Sequence, residues 1–143
     1  MHGASADSLR ALVASLGAAV EGGGADASRI GDDLFGVAGL MRREPSLRRV
    51  ATDLSLAPEA QSELMRRILG DQLDPVSTDL VAEAAGRRWA ATRHLADALE
   101  HVGVIAVVRG AEQKGKADEL ENELFALDRL ISGNPDLRDA LSD

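Results

Sequence analysis

The chain contains an internal repeat whose second copy is incomplete. The segment from Leu34 to Asp53 recurs ninety positions later as the segment from Leu124 to Asp143. Seven of the twenty aligned positions are identical, and several others exchange one apolar residue for another. The identical pairs are Leu34/Leu124, Phe35/Phe125, Leu40/Leu130, Pro45/Pro135, Leu47/Leu137, Arg48/Arg138 and Asp53/Asp143. Because a repeat unit cannot bury its apolar face alone, we expect a complete helical domain in 1–110 and the start of a second, truncated repeat in 111–143, cut from a longer protein.

The composition predicts an all-α fold. Hydrophobic residues make up 45% of the chain, but the aromatic ones are only Phe35, Trp89 and Phe125. Alanine, leucine and valine must therefore fill the interior, and the first two are strong helix formers. With only four prolines, we expect a six-helix bundle whose long last helix extends into the truncated repeat.

Charge and cysteine content exclude several classes of function. The net charge is −8 and the pI about 4.8, so we expect no nucleic-acid partner, because an acidic chain repels phosphate backbones. The chain has no cysteine, which excludes disulfides and thiolate chemistry and suits the cytoplasm. No signal peptide is visible. The longest apolar run, Val104 to Val108, is far shorter than the roughly 20 residues of a membrane-spanning helix.

Capping residues, glycines and prolines place five helices before residue 90. Three glycines at 22–24 end the first helix, and a proline ends the second while it opens the third. Asp26 or Ser28 caps the second helix. The first predicted helix runs from Ala6 to Val20, the second from just after Asp26 or Ser28 to Pro45, and the third from Pro45 to Val50. The fourth starts at Ala57-Pro58-Glu59 and ends at Gly70, and the fifth starts at Asp74-Pro75 and ends at Gly86.

The sixth helix begins near Ala90 and has two interpretations. No proline lies between Val76 and Asn134, so the helix can run to Ser132, with bends or frays at its interior glycines, because each costs about 1 kcal/mol relative to alanine. Alternatively, Val104 to Val108 forms a strand, although no comparable second strand exists to pair with it. A final short helix is predicted over 136–141.

Motifs for catalysis or metal binding are weak. The glycines at 22–24 follow a helix and lack the Gly-Lys-Ser/Thr of a phosphate loop. His94, Asp97 and His101 share a helical face and could in principle bind a metal, but a solvated polar face is the favoured interpretation. The same holds for the acidic clusters at 32–33 and 119–123, which have no adjacent nucleophile or cofactor motif. We expect no cofactor and no metal.

Two features suggest contact with another protein. Arg87, Arg88 and Arg93 surround Trp89 and could pair with an acidic partner, although a role in capping a helix end and closing the core is favoured. Alanines on one face of the first helix leave a shallow surface onto which another helix could pack. The alternative is a contact inside the bundle. These alanines are Ala11, Ala14 and Ala18.

From residue 56 to 102 the sequence resembles the amino-terminal domain of the ATP synthase delta subunit, whose mitochondrial counterpart is the oligomycin-sensitivity-conferring protein. The resemblance rests on an ordered series of short segments rather than on one motif. They are Leu56-Ala57-Pro58-Glu59-Ala60, Gly70-Asp71-Gln72-Leu73-Asp74, Gly86-Arg87-Arg88 and Leu95-Ala96-Asp97-Ala98-Leu99-Glu100. The start at 1–5 and the turn at 44–48 resemble the actinobacterial branch, whose members carry a duplicated copy of this helical region. In the first helix, Leu9 to Ala14 replaces an Arg-x-Tyr-Ala-x-Ala-Leu-like segment and lacks its tyrosine.

The resemblance implies a non-catalytic subunit of the peripheral stalk, or stator, of a proton-translocating ATP synthase. Such a subunit is expected on the catalytic head, in the cytoplasm and peripheral to the inner face of the cell membrane. It would bind the amino-terminal helix of an alpha subunit in a groove between helices 1 and 5 and resist rotor torque. Carried onto this chain, that groove involves Ala11, Ala14, Ala18, Leu80, Glu83, Ala84 and Arg87.

The resemblance also places the contact with b-type stalk subunits mainly in the missing C-terminal part. The truncated end could then pair with a second copy of the chain through Leu124, Leu127, Leu130 and Ile131, or fold back on the long helix. The main alternative function is a helical ligand-sensing or regulatory domain, which needs an enclosed apolar pocket of about 300–1,000 Å³. An all-α enzyme is a third interpretation, but the sequence offers no catalytic constellation for it.

Overall fold

The computed structural model describes residues 1–136, and over that part of the chain every regular element is a helix. The bounds are α1 Gly3–Glu21, α2 Ala27–Arg43, α3 Pro45–Ala51, α4 Pro58–Leu69, α5 Pro75–Ala85 and α6 Arg93–Ser132. The predicted all-α class, the six helices and the long last helix are confirmed. The strand considered for Val104 to Val108 is wrong, because those residues lie inside α6. Apart from Asp136, the final helix predicted over 136–141 lies outside the described residues.

The helix starts follow from local chemistry. The carboxylate of Asp26 accepts a hydrogen bond of 3.2 Å from the Arg29 N–H and caps α2. Asp74 caps α5 in the same way, accepting from the Val76 N–H at 2.9 Å. Prolines occupy the first turns of α3, α4 and α5. Backbone N–H groups in a first turn have no intrahelical acceptor, so a proline there costs no hydrogen bond. These signals explain why the middle of the chain divides into helices of 7, 12 and 11 residues.

The chain divides into two compact units, Met1–Gly110 and the part from Ala111 onward. The core of the first unit is aliphatic, as the composition predicts. Its largest fully buried apolar side chains come from α1, α2, α4, α5 and α6, and they are Leu12, Leu16, Ile30, Leu34, Met41, Met65, Val81, Leu95, Leu99 and Val102.

Three glycines allow α2 and α6 to approach each other closely within this unit. A Cβ added to Gly31 would lie 2.6 Å from Val107 Cγ2, and one added to Gly103 would lie 3.0 Å from the Phe35 ring. A Cβ on Gly110 would lie 2.1 Å from Ser28 Oγ and 2.7 Å from the Ser28 backbone nitrogen. The lack of a side chain at these positions therefore permits the close packing, and α6 continues through Gly103 and Gly110 without interruption.

The second unit exposes the apolar side chains of its helix. Leu120, Leu124, Phe125, Leu127 and Leu130 are each 50–61% exposed. The guanidinium of Arg129 lies 5.2 Å from the centroid of the Phe125 ring. Among the described residues, no helix combines the length and the hydropathy needed to cross a membrane.

Candidate partner-binding groove

Helices α1 and α5 pack directly against each other. Leu12 and Leu16 of α1 are each 1% exposed, and Val81 of α5 is equally buried, so the inner sides of both helices belong to the core. The candidate groove is therefore the outer surface of this helix pair. The floor of this groove consists of the solvent-facing side chains of α1 and α5 along the line where the two helices meet.

The outer surface of α1 is lined by small side chains. Ala14 and Ala18 are exposed, and Ala11 is half-buried. Ser15 lies one position after Ala14 and is also half-buried. Residues 11, 14, 15 and 18 share one helical face, which leaves a shallow surface that the backbone of another helix could approach closely.

Glu83 links the two helices at this surface. Its Oε1 accepts a hydrogen bond of 2.6 Å from the Ser15 hydroxyl, and its Oε2 accepts one of 3.1 Å from Arg87 Nε. Glu83 is half-buried, whereas the Arg87 side chain is 41% exposed. The sequence analysis identified Glu83 and Arg87 but missed Ser15. The only sequence feature that pointed to Ser15 was its hydroxyl on a face otherwise lined by alanines. The floor thus carries an ordered acid–base pair beside an alanine surface.

Leu80 and Ala84, which complete the residue set predicted for the groove, lie in the core. Leu80 is 3% exposed and Ala84 is 0% exposed. At about 100° per residue, the mean direction of Leu80 and Ala84 lies about 60° around α5 from the mean direction of Glu83 and Arg87. A partner lying on the outer surface would touch Glu83 and Arg87, while Leu80 and Ala84 hold α5 in position beneath it.

Two buried serines fix the start of α1. The Ser5 hydroxyl accepts from the Ala90 N–H at 2.7 Å and lies 2.8 Å from His94 Nδ1. The Ser8 hydroxyl donates to the Arg88 carbonyl at 2.7 Å. These bonds attach α1 to the connection between α5 and α6 and to the first turn of α6, which begins at Arg93, three residues after the predicted Ala90. The position of α1 beside α5 is thereby determined at its first turns.

Trp89 has a structural role within the same connection. Its indole Nε1 donates to the Ala84 carbonyl at 2.8 Å, at the C-terminal end of α5, and the side chain is half-buried against the core. This placement matches the interpretation favoured from the sequence, in which the tryptophan closes the core beside the arginines.

Two of the three side chains considered for a metal site are engaged elsewhere, and the third, His101, is exposed. His94 is bonded to Ser5, and Asp97 pairs with Arg42 at 2.8 Å. Arg42 also bonds Glu100, which is the main cause of its raised pKa, followed by the bond to Asp97. Among the described residues, no group of three histidine, aspartate or glutamate side chains is arranged to hold a metal ion.

Comparison with known proteins finds relatives that carry the name of the family that the sequence resembles. No family model matches the chain. The chain is 43% identical over 142 residues to a Streptomyces coelicolor protein named ATP synthase subunit delta, covering 99% of this chain and 52% of that protein. A Kineococcus radiotolerans protein of the same name is 43% identical over 136 residues, covering 95% of this chain and 49% of its own length.

A Nocardioides relative named ATP synthase subunit delta is 42% identical over 146 residues, covering all of this chain and 51% of the relative. The chain thus spans about half the length of the curated relatives it matches. Identity at this level along nearly the whole chain reflects common descent. By sequence, the chain is a homologue of proteins named ATP synthase subunit delta, and the relatives compared above are actinobacterial.

Proposed function

We propose that this chain is a non-catalytic part of the peripheral stalk of a proton-translocating ATP synthase, and that its α1–α5 groove binds the amino-terminal helix of an alpha subunit. The observation that carries the proposal is the α1–α5 surface itself, in which exposed Ala14 and Ala18 lie beside the Glu83–Arg87 pair. The names of the relatives support the assignment to the complex.

The binding mode would be a helix in a groove. Small side chains on α1 let a partner helix approach closely, and the partner's apolar anchors at helical spacing supply the affinity. Glu83 and Arg87 would pair with polar groups along its edge. Ser15 and Glu83 hold α1 and α5 at a fixed separation, so the groove needs little rearrangement. Its contribution is mechanical, since it holds the head against rotation and makes or breaks no bond.

A titration with a labelled peptide tests this proposal. The peptide carries the amino-terminal segment of an actinobacterial alpha subunit, and its fluorescence anisotropy reports binding. We expect a dissociation constant below about 100 μM, which corresponds to about 5.5 kcal/mol. Ala14→Trp places a bulky side chain on the exposed alanine face and should abolish binding without unfolding the chain.

The matched control is Ala60→Trp, at an exposed alanine of α4. It should bind the peptide as the unmodified chain does. Equal binding by the Ala14→Trp and Ala60→Trp variants would contradict the groove assignment, as would the absence of binding by the unmodified chain.

The second part of the proposal concerns residues 111–143 as the start of a second helical repeat. Leu34 and Val37 of the first copy are 0% and 3% exposed, whereas Leu124 and Leu127 at the equivalent positions are 57% and 50% exposed. The relatives are about twice as long, so they have chain enough to cover this face.

In the longer protein, b-type stalk subunits would be bound mainly outside the part that this chain spans. The assembled complex would lie at the inner face of the cell membrane. In the present chain, the exposed leucines of the second repeat would instead pair with those of another copy.

A further inference from the structure

The internal repeat also includes a segment near the N-terminus. At the same ninety-residue offset, residues 5–10 align with residues 95–100, and three of the six pairs are identical. The identical pairs are Ala6/Ala96, Asp7/Asp97 and Leu9/Leu99. The first segment lies in the first turns of α1 and the second in the first turns of α6. By this alignment, the first half of α6 is the sequence equivalent of α1.

The aligned parts of α1 and α6 have the same pattern of burial. All four buried residues of α1 correspond to buried residues of α6. These pairs are Ser5/Leu95, Ser8/Ala98, Leu12/Val102 and Leu16/Ala106. Ala14 and Ala18, the exposed alanines of the candidate groove, correspond to Val104 and Val108, which are 52% and 54% exposed. The alignment therefore brings both the inner and the outer faces of the two helices into register.

The outer face of α6 is more apolar than that of α1. Val104, Val107 and Val108 lie within an arc of about 100° around the helix, and Val107 is 39% exposed. Phe35 of α2 is 37% exposed and borders them, because its ring lies against Gly103 of α6. We call these four side chains the valine face. A contiguous exposed apolar surface of this kind is typical of a contact with another helix.

The equivalent of Ser15 shows what chemistry such a contact would have. In the first repeat, the Ser15 hydroxyl donates to Glu83 and thereby joins α1 to α5. The aligned residue of α6 is Ile105, which is half-buried and has no polar group to donate. A helix that meets this side of α6 therefore needs apolar residues where α5 carries a glutamate.

The lengths of the relatives indicate where that helix lies in the chain. At the ninety-residue offset, the equivalents of α4 and α5 fall beyond residue 143. This chain covers 52% of the Streptomyces coelicolor relative and 49% of the Kineococcus radiotolerans relative. The relatives thus contain about as many residues again, which is enough for further helices of the second repeat.

We propose that the second repeat uses the first half of α6 as its own first helix, and that the valine face receives an apolar helix from the part of the longer protein that this chain does not span. One helix then closes the first bundle with its inner face and supports the second with its outer face. The inference rests on the proposed second repeat but does not depend on the alpha-subunit groove.

Cysteine labelling tests this contact, because the chain has no cysteine of its own. Val108→Cys is compared in this chain and in a longer chain, in which the part of the Streptomyces coelicolor relative that follows the match is added with any cysteine replaced by serine. We expect a maleimide to react about tenfold or more slowly in the longer chain, since a covered thiol reacts only after local opening. Ala60→Cys, at an exposed alanine of α4, is the matched control and should react equally in both.

Leu127→Cys separates failure of this inference from failure of the second repeat itself, because Leu127 is an exposed residue of the repeat outside the valine face. Slower labelling of Leu127→Cys in the longer chain, with an unchanged rate for Val108→Cys, would overturn the inference and leave the second repeat standing. Unchanged rates at both positions would overturn both.

Circular dichroism checks that each variant folds, and Val104→Cys replaces Val108→Cys if the latter does not. Labelling of this chain at increasing protein concentration distinguishes a second copy as the occupant. A Val108→Cys rate that stays constant supports the proposal. A rate that falls with concentration in this chain would assign the valine face to self-association and would overturn the proposal.

Discussion

Single polar side chains determine how α1 is held. Ser5 is 0% exposed in a largely aliphatic core, and its hydroxyl accepts a hydrogen bond from the Ala90 N–H and lies 2.8 Å from His94 Nδ1. Buried polar groups stabilise a fold only when they are satisfied, because an unpaired one loses its bonds to water without replacement. The serine therefore specifies where the start of α1 lies relative to the α5–α6 connection.

Ser5→Ala should destabilise the chain by about 1–2 kcal/mol, because the Ala90 N–H and His94 Nδ1 then lose their partner. The measurement is the free energy of unfolding from urea denaturation. Ser46→Ala is the matched control, since Ser46 is exposed in α3 and its loss should change stability by less than about 0.5 kcal/mol. Equal stability of the two variants would show that the Ser5 bonds do not hold α1 in place.

Among the helices, α6 shows how packing overrides propensity. Its interior glycines predicted bends or frays, yet the helix runs unbroken over 40 residues. At Gly103 and Gly110 the missing side chain is what lets α2 approach, so the cost in propensity is offset by close contact. Gly115 has nothing within 4 Å of an added Cβ and no such compensation.

Alanine substitutions at Gly110 and Gly115 should therefore have opposite effects. Gly110→Ala places a Cβ against the Ser28 backbone and should destabilise the first unit by about 1–3 kcal/mol, as overpacking does. Gly115→Ala meets no neighbour and should stabilise its helix by up to about 1 kcal/mol. Urea denaturation measures the first effect and amide hydrogen exchange around residue 115 the second. Destabilisation by both changes, or by neither, would contradict the packing explanation.

The sequence predicted the elements better than their orientation. Asp26, Asp74 and the helix-starting prolines act locally, so the starts of α2 to α5 could be located without a structure. The exposed side of α5 could not, because the helix carries apolar residues over much of its circumference. Spacing alone grouped Leu80 and Ala84 with Glu83 and Arg87, and only the packing of α5 in the core separates them. Ser15 was missed because its role depends on Glu83, 68 positions away.

For the whole molecule, equivalent apolar side chains in the two copies of the internal repeat differ in burial. The first copy of the repeat is covered by the other helices of its own unit, and the second copy leaves equivalent leucines exposed. Since burying a leucine contributes about 1.5–3 kcal/mol, such a face gains stability from any helix that covers it. We propose that a second copy of the chain covers this face.

Multi-angle light scattering over a wide concentration range should therefore show a mass that rises with concentration. Leu127→Glu places a charge in the exposed stripe and should leave only monomer. Asn122→Glu introduces the same charge at an exposed position about 140° around the helix from Leu127, and this variant should associate as the unmodified chain does. A monomer at every concentration in the unmodified chain would remove the pairing proposal.

We propose above that the α1–α5 surface receives a partner helix. The most direct test of this proposal is nuclear magnetic resonance of the isotope-labelled chain with an alpha-subunit amino-terminal peptide that carries a nitroxide label. If the peptide binds in this groove, we expect the nitroxide to broaden the backbone amide signals of Ala14, Ala18 and Glu83. The amide signal of Ala60 should stay sharp. Broadening confined to other helices, with the Ala14 and Ala18 signals unchanged, would contradict it.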